Sequence, residues 1–318
     1  MVQHTHDTQE ALTTQATALQ GIRADIISEY IASLDVTQTT KDTYKKALKQ
    51  FILFMQGRNA KEATRADILA YKEHLQGKYT VCTVSGYITA VKGLYIYLEA
   101  EKIYPNIANG IKGGKHQAGF KKDALTVDQI KKVLSKVNKK PLEGKRNFAL
   151  LNLLIRTGLR TIEIERANIE DIRQEGGEAL LYIQGKGRES KDNFVLLTEE
   201  TLRPIRDYLK ARGKANPASP LFSSISDRNQ GGRLTTRSIR RIVKESFKGA
   251  GIDSDRLTAH SLRHTAVTLS LLAGASIQEA QSMARHKNIN TTLIYAHNIN
   301  RIQHAPERKI DSYLMSLN

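Results

Sequence analysis

The chain has a single cysteine, Cys82, so no disulfide can close within it and there is no cysteine pattern of a metal site. It has no uninterrupted run of about 18 apolar residues, so no membrane span is expected. The opening residues, MVQHTHDTQEALTTQATALQ, lack the apolar segment of a secretory signal. A reducing cytoplasm is the expected location. Acidic charge is also scarce: 32 Asp and Glu stand against 49 Lys and Arg, a formal charge of +17, with a pI near 9.8. Such an excess predicts a polyanionic partner. Nucleic acid, RNA included, comes first, with anionic lipid and plain solubility as other uses of a basic surface.

What is present fits two soluble domains, since 318 residues with 40 % apolar and 25 % charged content suffice for two cores. The charge is uneven. Residues 1–115 carry 14 Lys and Arg against 11 Asp and Glu, whereas residues 116–318 carry 35 against 21, so most of the field lies in the second part. Apolar spacing predicts four helices in the first. They begin near Ile22, after the Thr37 to Thr40 cap region, after Thr64 and near Thr80. The second helix sets Tyr44, Leu48, Phe51, Ile52 and Met55 on one stripe and leaves Lys45 and Lys49 mostly off it. Its charged face is either merely solvated or a contact for DNA.

Residues 106–122 combine four glycines with several lysines, Lys115 among them, and lack periodicity. This predicts a linker between a helical domain over 20–105 and a second domain over 123–318. In the second, Thr126 is placed to cap a helix, RNFALLNLLIRT forms a nearly all-apolar core helix, and Gly158 stops it. LRTIEIERANIEDI then predicts a new helix with Arg160 and Glu163 on one face. ALLYIQ and NFVLL flank GKGRESKD, a hairpin with Lys186 at its tip. That lysine is either solvated or brought close to a ligand by its glycines. A later helix bears Arg237, Arg240, Arg241 and Lys244, a basic stripe suited to a phosphate backbone.

The densest chemistry lies at 258–297. There His260 and Arg263 share a helix face by their spacing of three, and His286 and Tyr295 follow. Arginine offers a planar fork for phosphate, histidine moves a proton near neutral pH, and a deprotonated tyrosine is a nucleophile. Together they suit phosphoryl transfer through a tyrosine ester. Taken singly, each is as well explained by packing.

In order and spacing, TGLRTIEI (157–164), GKG (185–187), HSLRH (260–264), ARH (284–286) and TTLIYAH (291–297) resemble the active site of the tyrosine recombinases, the phage integrase, Xer and Cre family. The resemblance implies a mainly α protein of two domains closing as a C-shaped clamp on DNA. One is a four-helix, SAM-like core-binding domain, and the other is a mostly helical catalytic domain with a small β-sheet or hairpin. It implies that Arg160 and Arg263 hold the scissile phosphate and Lys186 protonates the leaving 5′ oxygen. His260 takes the tyrosine proton, His286 donates to a non-bridging oxygen, Glu163 supports the arginines, and Tyr295 attacks to give a 3′-phosphotyrosine. Exchanging a phosphodiester for a phosphotyrosine conserves bond energy, so neither ATP nor a metal or other cofactor is expected.

The resemblance further implies a double-stranded recombination site of two half-sites and a homotetramer assembled on it, with accessory proteins as further partners. The tail supports this: Ile310, Tyr313, Leu314 and Leu317 form an apolar face, either folded back on its own domain or docked on a neighbouring subunit. Two departures stand out. Arg285 occupies a position where many relatives have glycine, and the short polar start leaves no room for an arm-binding domain. Relaxation of supercoils in the manner of a type IB topoisomerase, and DNA binding by an inactive regulator, are the competing readings.

Overall fold

Two units, residues 1–118 and 119–318, divide the chain in the computed structural model. It describes residues 24–58, 62–114, 123–185, 187–303 and 305–316.

The first unit is built from α1 (Ala24–Ser33), α2 (Gln38–Gly57), α3 (Arg65–Gln76) and α4 (Val81–Ala100). The starts of the last three are legible. Thr37, Thr64 and Thr80 occupy the N-cap positions of α2, α3 and α4. At α3 the cap is reciprocal: Thr64 Oγ1 accepts from Asp67 N, and Asp67 accepts from Thr64 N at 2.9 Å. The expected stripe of α2 turns inward, with Leu48, Phe51 and Met55 buried. Phe51 meets the rings of Tyr71 on α3 and Tyr95 on α4 edge-on, at 5.1 and 6.3 Å. Tyr30 of α1 crosses α4 at Gly93, where a Cβ would lie 2.1 Å from its hydroxyl.

With 20 residues and a mean hydropathy of 1.3, α4 has the length and apolarity of a membrane span. Its Val84, Ile88, Val91, Leu94 and Leu98 are instead spent on this core. Ala108 and Ile111 are buried against the same core. Residues 106–114 of the expected linker therefore pack onto the first unit, and 115–122, with Lys115, lie outside the described residues.

In the second unit, α5 (Val127–Lys136) is capped by Thr126 and is followed by α6 (Leu142–Thr157). The α6 helix is the expected core helix, with Ala149, Leu150, Leu151, Leu153 and Leu154 fully buried. After α7 (Thr161–Arg166) come three antiparallel strands, β1 (Ile172–Glu175), β2 (Glu178–Ile183) and β3 (Asn193–Leu196), in the order β1-β2-β3. The pair β2 and β3 is the expected hairpin.

Strand β1 was not expected: the helix read from LRTIEIERANIEDI stops at Arg166, and the residues just beyond that stretch carried no strand signal. IRQE carries one apolar residue and no alternation, so the strand is set by pairing. Ile172 lies opposite Leu181, and Gly176 and Gly177 make the turn with φ of 59° and 83°. The unit continues with α8 (Glu199–Arg212), α9 (Thr236–Gly249), α10 (Ala259–Leu272), α11 (Ile277–Ala284), α12 (Asn290–Gln303) and α13 (Pro306–Met315). The α6 helix packs between α8 and α10, and α11 and α12 close over α10.

Candidate active site

The site starts at the end of α6. Gly158 caps that helix in the left-handed region, φ 60°, and its N–H returns to the Leu154 carbonyl. Here glycine is required by contact as well as by backbone. A Cβ would press on the Ala266 Cβ at 3.3 Å, and the Gly158 carbonyl accepts from Arg263 Nη1 at 2.7 Å. Two residues on, Arg160 precedes α7. Glu163 folds back from the first turn of α7, accepting from Arg160 N at 2.7 Å and from Arg160 Nη1 at 2.9 Å. The Glu163 side chain is 0 % exposed and that of Arg160 is 30 % exposed, so the carboxylate is structural and the guanidinium reaches solvent.

The next group comes from α10. Arg263 is 1 % exposed. Besides Gly158, it donates through Nη2 to the Ala284 carbonyl at the end of α11. One guanidinium thus ties together the ends of α6 and α11. Burial, then Arg160 and Arg285 nearby, lower its pKa to about 9, so it stays cationic at neutral pH.

Tyr295, on α12, is 4 % exposed, among Val267 and Ala284 with Leu271 and Met283 packed on them. Its hydroxyl bonds Nδ1 of His264, and the ring of His286 stacks on it at 6.2 Å and 16°. Nδ1 of His286 is held at 2.9 Å by Thr292 Oγ1. His260, one turn before His264, is exposed, and its ring lies edge-on to that of His264 at 4.6 Å. The sequence therefore led to His260 as the tyrosine's partner, while the folded chain brings His264 to the phenol. Both lie on one helix face at a spacing of four, and only the position of α12 selects between them.

Electrostatics follows from burial. Loss of water pushes the Tyr295 phenol up to about 12, partly opposed by Arg263. Burial, and then His260, Arg263 and His286, bring His264 down to about 4. Burial, and then the three arginines 263, 160 and 285, bring His286 to about 4. His260, exposed at one edge but with part of its ring out of water, is lowered by that partial desolvation and then by Arg263, Arg160 and Arg240. At neutral pH the site is a protonated phenol beside neutral imidazoles, with guanidinium charge for an anion.

Lys186 lies outside the described residues, yet its surroundings are defined. The Gly185 carbonyl accepts from Arg166 Nη1 at 3.0 Å, and Gly187 has φ 74°. Lys191 pairs with Asp171 at 2.6 Å. These ties hold the base of the tip. Arg233 was also missed: it donates to the carbonyls of Glu165 and Ala167 and to Asn168 Oδ1, bracing the end of α7 from 65 or more residues away. No spacing in the sequence signals so distant a bond.

Of the basic stripe, Arg237, Arg240 and Arg241 are exposed on α9. Arg240 is close enough to His260 to act on its charge, which puts that part of the stripe beside the site. Lys244 is engaged within its own unit, donating to the Ser254 carbonyl at 2.8 Å with Asp253 at 3.5 Å. On α2, Lys45 is exposed and Lys49 half-buried. Among the described residues, no group of three or more His, Cys, Asp or Glu side chains is arranged to hold a metal ion.

A helical unit followed by a helical unit with a small sheet, carrying arginine, histidine and tyrosine around one helix end, is the arrangement of the tyrosine recombinases. Residues 123–301 match the phage integrase family and residues 24–104 match its N-terminal SAM-like domain; the chain belongs to that family. It is similar to a tyrosine recombinase of Synechocystis sp., 28 % identical over 90 % of this chain and 94 % of that protein. It is also similar to the tyrosine recombinase XerD of Oceanobacillus iheyensis, 30 % identical over 82 % of this chain and 88 % of that protein. Its fold is shared with the XerH site-specific recombinase, solved bound to a palindromic difH substrate as a post-cleavage complex. The TM-score is 0.69 at 24 % identity, covering 84 % of this chain and 80 % of that one.

Proposed function

We propose that this chain is a site-specific recombinase that cuts and rejoins double-stranded DNA through a 3′-phosphotyrosine on Tyr295. The observation that carries the reading is the setting of that phenol, on Nδ1 of His264 and under the ring of His286, beside the arginine that ties the ends of α6 and α11. A tyrosine held only for packing needs no such company.

In the proposed reaction, Tyr295 Oη attacks the scissile phosphorus as the bond to the 5′ oxygen breaks. His264 holds the phenol before DNA arrives. His260, one turn earlier and more open to solvent, takes the proton, and Lys186 returns one to the 5′ oxygen. Arg160 and Arg263 offset the charge on the non-bridging oxygens, and a hydrogen bond from His286 adds to this. The bond formed is equivalent to the bond broken, so a different 5′ hydroxyl can reverse the step without ATP, a metal or another cofactor.

Assembly follows from the tail. In α13, Ile310, Tyr313 and Leu314 are exposed, Tyr313 at 65 %, and Leu317 lies outside the described residues. An apolar face left open on one chain suits docking on a neighbour within a tetramer that brings two recombination sites together, with accessory proteins setting direction. The exposed Lys45, Arg237, Arg240 and Arg241, with Lys49, Lys115 and Lys244, would carry phosphate contacts.

The test is covalent trapping on a nicked suicide substrate. The unaltered protein should form a denaturation-resistant protein–DNA adduct. Tyr295→Phe, which loses only the hydroxyl, should bind the same DNA and form none. An adduct with the Phe variant would remove Tyr295 from the reaction.

A further inference from the structure

Arg285 is the C-terminal cap of α11 and sits in the left-handed region, φ 53° and ψ 46°, where an L residue is disfavoured and glycine is at ease. Its side chain is not spent on solvent. It is 11 % exposed, donates through Nη1 to the Met283 carbonyl at 2.6 Å, and donates through Nη2 to Glu163 Oε2 at 3.0 Å. Its Nε is buried without a partner. A strained backbone and an unsatisfied buried N–H both oppose this residue, and of its two bonds only the one to Glu163 reaches a charged group of the site.

The consequence lies in the charges. Glu163 already holds Arg160, through its backbone N–H and through Nη1. A buried carboxylate paired with Arg160 alone would cancel the positive charge offered to a phosphate. With Arg285 on the other side of the same carboxylate, the three groups keep one net positive charge, and Oε2 is fixed from two directions. Arg263 donates to the carbonyl of Ala284, the residue before Arg285, and His286, the residue after it, stacks on Tyr295. One turn thus meets Arg263 and the nucleophile directly and Arg160 through Glu163.

We infer that Arg285 is a positioning residue that acts through Glu163: it balances the buried carboxylate so that Arg160 keeps its orientation and its full charge for the scissile phosphate. This rests on the function proposed above. With both terminal nitrogens engaged and little surface exposed, Arg285 acts on the phosphate at second hand and does not bind it.

The experiment is single-turnover cleavage of a suicide substrate by the full chain, as unaltered protein, Arg285→Gly, Arg285→Lys, Glu163→Gln and the Arg285→Gly/Glu163→Gln double variant. Each is run on a normal scissile phosphodiester and on an uncharged methylphosphonate at the same position, with half-site binding and melting temperature measured alongside. Arg285→Gly should slow cleavage of the phosphodiester by about 10- to 100-fold, the usual range for a group that orients a site residue. It should leave half-site binding unchanged, and relief of the left-handed backbone should offset part of the lost ion pair, so that cleavage falls by more than the melting temperature accounts for. Arg285→Lys, which keeps the charge without the fork, should fall between the two.

The defect should shrink to within about threefold on the methylphosphonate, where no phosphate charge needs offsetting, and in the Glu163→Gln background, where no carboxylate needs balancing. Equal defects on both substrates, defects that multiply in the double variant, or unimpaired cleavage by Arg285→Gly would each overturn the inference. So would a cleavage loss that merely tracks a fall in melting temperature. An adduct with Tyr295→Phe would overturn the function on which it rests, a separate result from any of these.

Discussion

The two units bury different things. Leu48, Phe51, Ile68, Leu94 and their neighbours fill the first core, and its buried polar atoms are chiefly tyrosine hydroxyls. The second buries Arg146, Glu163, Asp171, Arg263 and His264, and among the described residues every buried charged side chain is in it. A buried charge costs stability unless it is paired and hydrogen-bonded, so a unit that keeps several has a use for them. The contrast separates a platform, where apolar burial is the whole design, from a site, where desolvation shifts imidazoles and a guanidinium away from their ordinary behaviour.

The widest gap between the units should appear in stability. Phe51→Ala removes a fully buried ring that meets Tyr71 and Tyr95 and should cost about 3–5 kcal/mol. Calorimetry should show the loss confined to the transition of residues 24–114, with cleavage chemistry intact on DNA that is still bound. A shift of both transitions together would mean the units do not melt independently.

Next comes Arg263→Ala, which leaves the carbonyls of Gly158 and Ala284 without their donor. Single-turnover cleavage should fall by roughly 100- to 1,000-fold, as for loss of one oxyanion-hole donor. Cleavage within a few-fold of normal would return this arginine to a purely structural role.

A smaller effect is expected from pH. His264 binds its proton near pH 4 in the folded chain and near 6.5 when unfolded. The unfolded chain therefore takes up the proton first as pH falls. Stability from this group is fully present above about pH 6.5 and is lost on the way down to about pH 4, on the order of 3 kcal/mol in all. His264→Asn should flatten the slope of the second transition in that window. The first unit gives no matching slope from its tyrosines, since burial pushes Tyr30 up to about 12, into the alkaline range. An unchanged slope in His264→Asn would assign the titration to another group.

Smallest is Gly158→Ala. The left-handed backbone alone should cost about 1–2 kcal/mol, and the new methyl would press on Ala266. Cleavage should suffer beyond the fall in melting temperature, because the Gly158 carbonyl orients Arg263. Equal losses in the two measurements would reduce the glycine to a helix stop.

Much of this was legible before folding. Helix periods in α2 and α6, threonine caps at α2, α3 and α5, the glycine stop at 158 and the order of the motifs are written locally, because a helix and its ends are decided by residues within a few positions of one another. Glu163 folding back on Arg160 belongs to the same class, at a spacing of three. Long-range pairing decided the rest. Strand β1 carries too little pattern to declare itself and exists because β2 gives it partners. His264 rather than His260 receives the Tyr295 hydroxyl because α12 packs where it does, 31 residues along the chain. Arg285 reaches Glu163 across 122 residues. Sequence spacing determines which side chains share a face; which of them is desolvated, and by what it is met, is settled only when separate helices bury that face together.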